Sequence, residues 1–121
     1  MSYDLTAVAY DWGYPAAETV CPEEMREINR TAWTALRAAM DAAERAAGEF
    51  AKAKKKRDWA RKLERIRAHA AAMADARERL YTAADAIEEI VNRANPYVET
   101  ATRPYVQRAR RLVREVAEAE K

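Results

Sequence analysis

The chain predicts a mainly all-α fold: a long antiparallel helical hairpin of coiled-coil character, with a short N-terminal strand or extended arm and a third helix at the C-terminus. Three observations carry this. Alanine dominates the apolar residues, Phe50 is the only phenylalanine, and Gly13 and Gly48 are the only glycines in 121 residues, a composition that favours helix. Two successive stretches repeat apolar residues in steps of three and four, the period of one helix face. The two stripes have nearly equal lengths, so two helices folded back on each other would bury both. A single helical domain over residues 1–121 is expected from this length.

The first element is an extended arm over residues 1–21. Within it, residues 3–10 (YDLTAVAY) are rich in Tyr, Val and Thr and partly alternate, which reads as one strand. A lone strand leaves its backbone groups unpaired, so it joins a sheet in a larger assembly or packs on the helices as an arm. Asp11-Trp12-Gly13-Tyr14-Pro15 breaks the pattern.

The first helix is expected over residues 22–57. Pro22 is tolerated in a first turn, where its missing N–H has no partner to lose, and Glu23 and Glu24 suit the positive end of the helix dipole. Its stripe is Met25, Ile28, Ala32, Leu36, Met40, Ala43, Ala47 and Phe50, with Gly48 a weak point. The second helix is expected over 58–95. Trp59, Leu63, Ile66, Ala70, Met73, Arg77, Leu80, Ala84, Ile87, Val91 and Ala94 form an a/d seam in alternating steps of four and three, with Arg77 its one polar member.

The joint falls near residues 55–58, where Asp58 could cap the second helix. The stretch KAKKKRD holds no Gly or Pro. Two alternatives therefore stand beside the hairpin: a turn at Gly48, or one continuous helix that dimerises. Asn95-Pro96 then ends or kinks the second helix. Residues 96–121 read as a kinked connection and a third helix starting near Pro104. Val106, Ala109, Val113 and Val116 would face inward, and Arg103, Arg108, Arg110, Arg111 and Arg114 outward.

Charge is distributed unevenly. Residues 1–51 hold four Arg and nine acids; residues 52–121 hold eighteen Lys or Arg and eleven acids. The densest block is KAKKKRDWARKLERIR, residues 52–67. Its Lys52, Lys54, Lys55, Lys56, Arg57, Arg61, Lys62 and Arg65 repel one another, and phosphates are the usual counterpart of such crowding. The competing reading is a solvated helix face with Glu–Lys pairs. Arg110, Arg111 and Arg114 would extend the same surface or form ordinary ion pairs. Tyr10, Trp12 and Trp33, with Tyr14, are candidate base-stacking residues; packing of the arm against a helix is the commoner use of such aromatics. Trp59 lies inside the basic block, and its heptad position assigns it to the seam.

Catalysis finds no support in the residues. His69 is the only histidine and has no acid–histidine partner at a di-metal spacing. There is no Gly-rich phosphate loop, and no serine after Ser2. No catalytic residue, metal site, cofactor or small-molecule substrate is therefore expected. Cys21 is the only cysteine and reads as a structural thiol. Neither a membrane span nor a signal peptide is evident, so a cytoplasmic setting without membrane contact is expected.

Val8-x-Tyr10-x-Trp12-Gly13-x-Pro15, followed by Glu23-Glu24-Met25-Arg26-x-x-Asn29-x-x-Trp33-x-x-Leu36, resembles the opening of type V CRISPR effectors, in particular the compact lineage derived from TnpB transposon nucleases. The likeness covers residues 6–50 by motif and the following helices by character. It implies a first strand like that of the guide-gripping wedge domain, and helices like those of the recognition lobe, which binds the guide–target duplex. Tyr10, Trp12, Asn29 and Trp33 match the family pattern near the junction of the two. The RuvC nuclease domain of that family has no counterpart in this sequence, so its nuclease activity does not carry over. The expectation is an isolated recognition segment, a remnant or a split subunit.

These readings converge on a non-catalytic nucleic-acid-binding module, with RNA or an RNA–DNA duplex as the expected partner. The rivals are a small helical protein-binding adaptor or inhibitor, of the kind phages encode, and a structural coiled-coil dimer.

Overall fold

The computed structural model describes residues 30–93 and 96–120. They form three helices in chain order: α1 (Arg30–Trp59), α2 (Leu63–Asn92) and α3 (Pro96–Ala119). No strand occurs among the described residues. The expected strand at 3–10, the first turns of the first helix, Cys21, and Tyr10, Trp12 and Tyr14 lie outside the described residues.

At ~1.5 Å per residue, α1 and α2 are each about 45 Å long. They fold back on each other as the antiparallel hairpin that the matched stripes predict. The continuous helix and the turn at Gly48 do not occur: Gly48 lies within α1, and the chain reverses at Ala60-Arg61-Lys62. The reversal therefore comes after the expected joint at 55–58. It needs no glycine, because Lys62 supplies an extended backbone at φ −86°, ψ 133°. The Ala60 N–H closes on the Arg57 carbonyl at 3.2 Å, and the Lys62 carbonyl accepts from the N–H groups of Arg65 and Ile66.

Two forces favour a break here. A continuous helix would stack Arg57, Arg61 and Arg65 at i, i+4 spacing, and each such like-charge pair costs about 0.2–0.5 kcal/mol. Reversal also brings the two apolar stripes together. Asp58 does not cap α2. Lys62 holds that position with no side-chain hydrogen bond, and Asp58 turns to basic neighbours instead. Glu64, in the first turn of α2, complements the helix dipole.

The core is narrow and alanine-rich. On α1, Ala32, Ala35, Leu36, Ala39, Met40, Ala43, Ala46, Phe50 and Ala53 are buried, a wider stripe than the sequence spacing gave. The width follows from α1 facing two helices instead of one. On α2 the buried residues are Met73, Ala76, Leu80, Ala83, Ala86, Ile87 and Ile90. The predicted seam is thus half right. Met73, Leu80 and Ile87 are buried on it, and Ala84 and Val91 pack at its edge. Its first four members are not in the core: Trp59, Leu63 and Ala70 are exposed and Ile66 is half-buried. The residues of α1 at that level are Lys54, Lys55, Lys56, Arg57 and Asp58, which offer no apolar surface to pack on.

α3 completes a three-helix bundle and runs antiparallel to α2. Arg77 of α2 pairs with Glu120, and Arg110 of α3 pairs with Glu88. Val106, Ala109 and Val116 are buried as expected, joined by Leu112 and Thr102. The helix starts eight residues before the predicted point, because Pro96 occupies a first turn and Pro104 is accommodated inside the helix. Pro104 is exposed, and it lacks the N–H that would bond four residues back. Burial of Thr102, Val106 and Ala109 around it carries the helix through.

Candidate nucleic-acid interface

The last core residue before the turn is Ala53, and the first after it is Met73. Between them, at the tip of the hairpin, no residue is buried, and the C-terminal part of α3 (Glu115, Val116, Ala119) borders its α1 side. Residues 52–67 contain nine Lys or Arg against two acids, whereas residues 68–121 contain nine of each. The entire positive excess of the C-terminal part therefore sits in and beside this tip. Long Lys and Arg side chains maintain helix there by propensity.

Lys52, Lys55, Lys56, Arg61, Lys62 and Arg65 are exposed, while Lys54 and Arg57 are half-buried. The difference is Asp58. Lys54 Nζ donates to its Oδ2 at 3.1 Å, and Arg57 Nη2 donates to its Oδ1 at 3.1 Å. The hydrogen bond from Lys54, followed by that from Arg57, holds the Asp58 carboxyl below its ordinary value of 3.8. The six exposed cations make no ion pair with any carboxylate among the described residues. The solvated-face reading requires Glu–Lys pairing, which occurs here only around Asp58.

Other basic residues are tied into the bundle. Arg79 bonds Glu49 across the hairpin and Asp75 on its own helix, and its pKa is raised, first by the hydrogen bond it donates to Glu49. Arg108 pairs with Glu44, and Arg110 Nε donates to Glu88 Oε1 at 2.7 Å. Arg110 thus fastens α3 to α2. Its partner Glu88 is ~38 Å along α2 from Leu63. Arg111 and Arg114 are exposed on the same helix, beside Leu112 and Glu115, which line one groove with Lys54, Lys55 and Trp59. Of the three arginines, Arg110 is committed to an ion pair within the bundle.

Trp33 is separate, at ~39 Å along α1 from Trp59. It meets Tyr105 of α3 edge to face, with centroids 6.1 Å apart at 62°, and the Arg37 guanidinium lies 5.9 Å from its ring centroid. It packs two helices together. His69 is half-buried, and no group of three or more His, Cys, Asp or Glu able to hold a metal occurs among the described residues. No helix among them is long and apolar enough to cross a membrane.

The aromatic that does reach solvent is Trp59, 79% exposed, with Leu63 60% exposed across the turn. Heptad spacing concealed this by placing both on the seam. Trp59 ends the first helix instead of lying in the second, and Leu63 opens the second helix opposite the apolar-free run of residues 54–58. Trp59 borders a groove of ≈ 350 Å³ between α1 and α3, lined also by Lys54, Lys55, Phe50, Leu112 and Val116. No protein-family model, curated protein or solved structure matches the chain.

Proposed function

We propose that this protein is a non-catalytic nucleic-acid-binding module whose hairpin tip grips phosphates. One observation carries the reading. The positive excess of residues 52–121 lies in residues 52–67, at the turn end of the hairpin where the core runs out after Ala53, and six exposed cations there have no carboxylate partner among the described residues. Like charges so crowded raise the energy of the folded chain, and bound phosphates reverse that sign while releasing counterions. The bundle behind the tip supplies a rigid handle, fastened by Arg77–Glu120, Arg79–Glu49 and Arg110–Glu88. The N-terminal likeness to the recognition region of RNA-guided effectors supports the same reading on separate residues, and RNA or an RNA–DNA duplex is the ligand it implies. Neutralising Lys54, Lys55, Lys56 and Arg57 together is expected to weaken RNA or DNA binding and flatten its salt dependence. Unchanged affinity in a filter-binding or fluorescence assay would overturn the proposal.

The reading as a protein-binding adaptor draws on the exposure of Trp59 and Leu63. A stable self-dimer indifferent to RNA and DNA in size-exclusion scattering would favour it.

A further inference from the structure

We infer that the tip takes an unpaired stretch of nucleic acid, with a base stacked on Trp59 and the flanking phosphates held by Lys55, Arg61 and Lys62. The inference rests on the phosphate-binding reading above and deepens it by naming the form of the ligand. Its starting point is that the most exposed large apolar side chain among the described residues lies in the middle of their most basic segment. An indole left 79% exposed forgoes the burial that Trp33 and Phe50 obtain; Asp58 beside it is held by Lys54 and Arg57, and the unpaired cations near it in sequence are Lys55, Lys56, Arg61 and Lys62. A flat π-face with unpaired cations before and after it in the chain matches a base between two phosphates, because every base has a face to stack and every linkage carries a negative charge.

Geometry selects unpaired over duplex nucleic acid. A helix with its side chains is about 10–12 Å across. Two of them with axes ~8–10 Å apart make a tip roughly 20 Å wide. The major groove of B-DNA is only ~12 Å wide, so the tip cannot enter it end-on. The deep major groove of A-form RNA is narrower still. On a duplex, Trp59 would meet only the backbone, and its ring would find no base face. On an unpaired strand, or at a loop or junction, a base can turn out onto the ring. The groove beside Trp59 is lined by apolar Phe50, Leu112 and Val116, by Lys54 and Lys55, and by the carboxylates Asp58 and Glu115, of which Asp58 is already held by Lys54 and Arg57. Its volume of ≈ 350 Å³ is within the ~300–1,000 Å³ range of small-molecule sites.

The test compares the whole chain with Trp59→Ala and Trp59→Phe, using fluorescein-labelled single-stranded oligonucleotides and a duplex of equal length. Trp59→Ala is expected to lower single-strand affinity by roughly 5- to 150-fold, the span of one base–aromatic stack, with the salt slope unchanged. Trp59→Phe should retain most of the affinity, and neither variant should alter duplex binding. Both should fold, since the residue lies outside the core. Equal losses on single strand and duplex, or no loss on either, overturn the stacking inference while the phosphate reading stands. Failure of the unmodified chain to bind either nucleic acid overturns both. Transfer of Trp59 into anionic phosphatidylglycerol vesicles, seen as a blue-shifted emission lost in Trp59→Ala, with no effect of that variant on single strands, identifies a lipid-facing residue and also overturns the inference.

Discussion

Replacing Lys55, Lys56, Arg61 and Lys62 together by Gln separates the tip from every other basic surface of the molecule. All four are exposed, and none has a carboxylate partner among the described residues, so each is free to meet a phosphate. A phosphate contact contributes about 0.7 to the logarithmic salt slope on single strands and about 0.9 on B-form duplex. The fourfold variant should therefore flatten the slope by up to about 3 units. At ~0.1 M salt this corresponds to an affinity loss of up to roughly 10²–10³-fold. The measurement is fluorescence anisotropy across a salt series, with urea unfolding of the same samples. The urea midpoint should stay level or rise, because the four side chains lie outside the core and their loss relieves repulsion. Arg108→Gln with Arg110→Gln is the internal control. Those arginines are held by Glu44 and Glu88, so the slope should not move, while the fastening of α3 weakens. An unchanged slope in the fourfold variant, or an equal change in the control, would refute the reasoning.

Three further outcomes test the structure around the tip. Phe50→Ala removes the largest fully buried side chain among the described residues and should cost about 3–5 kcal/mol of unfolding free energy in urea titration. Gly48→Ala should stabilise by about 0.5–1 kcal/mol, because Gly48 is helical and a Cβ there meets nothing within 4 Å; a lower thermal midpoint would contradict this. The Asp58 carboxyl should titrate below 3.8 by NMR. Because its folded pKa is depressed, its contribution to stability is present above the unfolded value and lost as pH falls through the folded one. Asp58→Asn releases Lys54 and Arg57 and should steepen the salt slope of nucleic-acid binding by roughly one unit.

How much of this was legible beforehand differs along the chain. The stripe of α1 from Ala32 to Phe50 and the lower seam of α2 from Met73 to Val91 could be read from spacing, since burial on a helix recurs every three to four residues. The early part of the seam could not. Trp59, Leu63 and Ile66 satisfy the heptad as well as Leu80 and Ile87 do, but spacing says nothing about what stands opposite. The third helix was placed late because Pro104 was read as a start, a cost that neighbouring burial overrides. The basic side chains could be named from the sequence, but not which were already paired. Asp58 follows Arg57 directly and lies one turn from Lys54, whereas Glu88 lies twenty-two residues before Arg110.

The sequence by itself determined the helices, their approximate spans and the block of charge, because propensity, period and residue type are local properties. Only the tertiary structure decided where that charge points. Buried packing ends at Ala53 and Met73, and the charged residues beyond them are left largely to solvent. Long-range pairing also decided that Arg110 serves the bundle, and that Trp59, apolar and on the expected seam, faces water. The physical reason is the same in each case. Burial and ion pairing depend on the residue across the interface, and that residue is set by how the helices align.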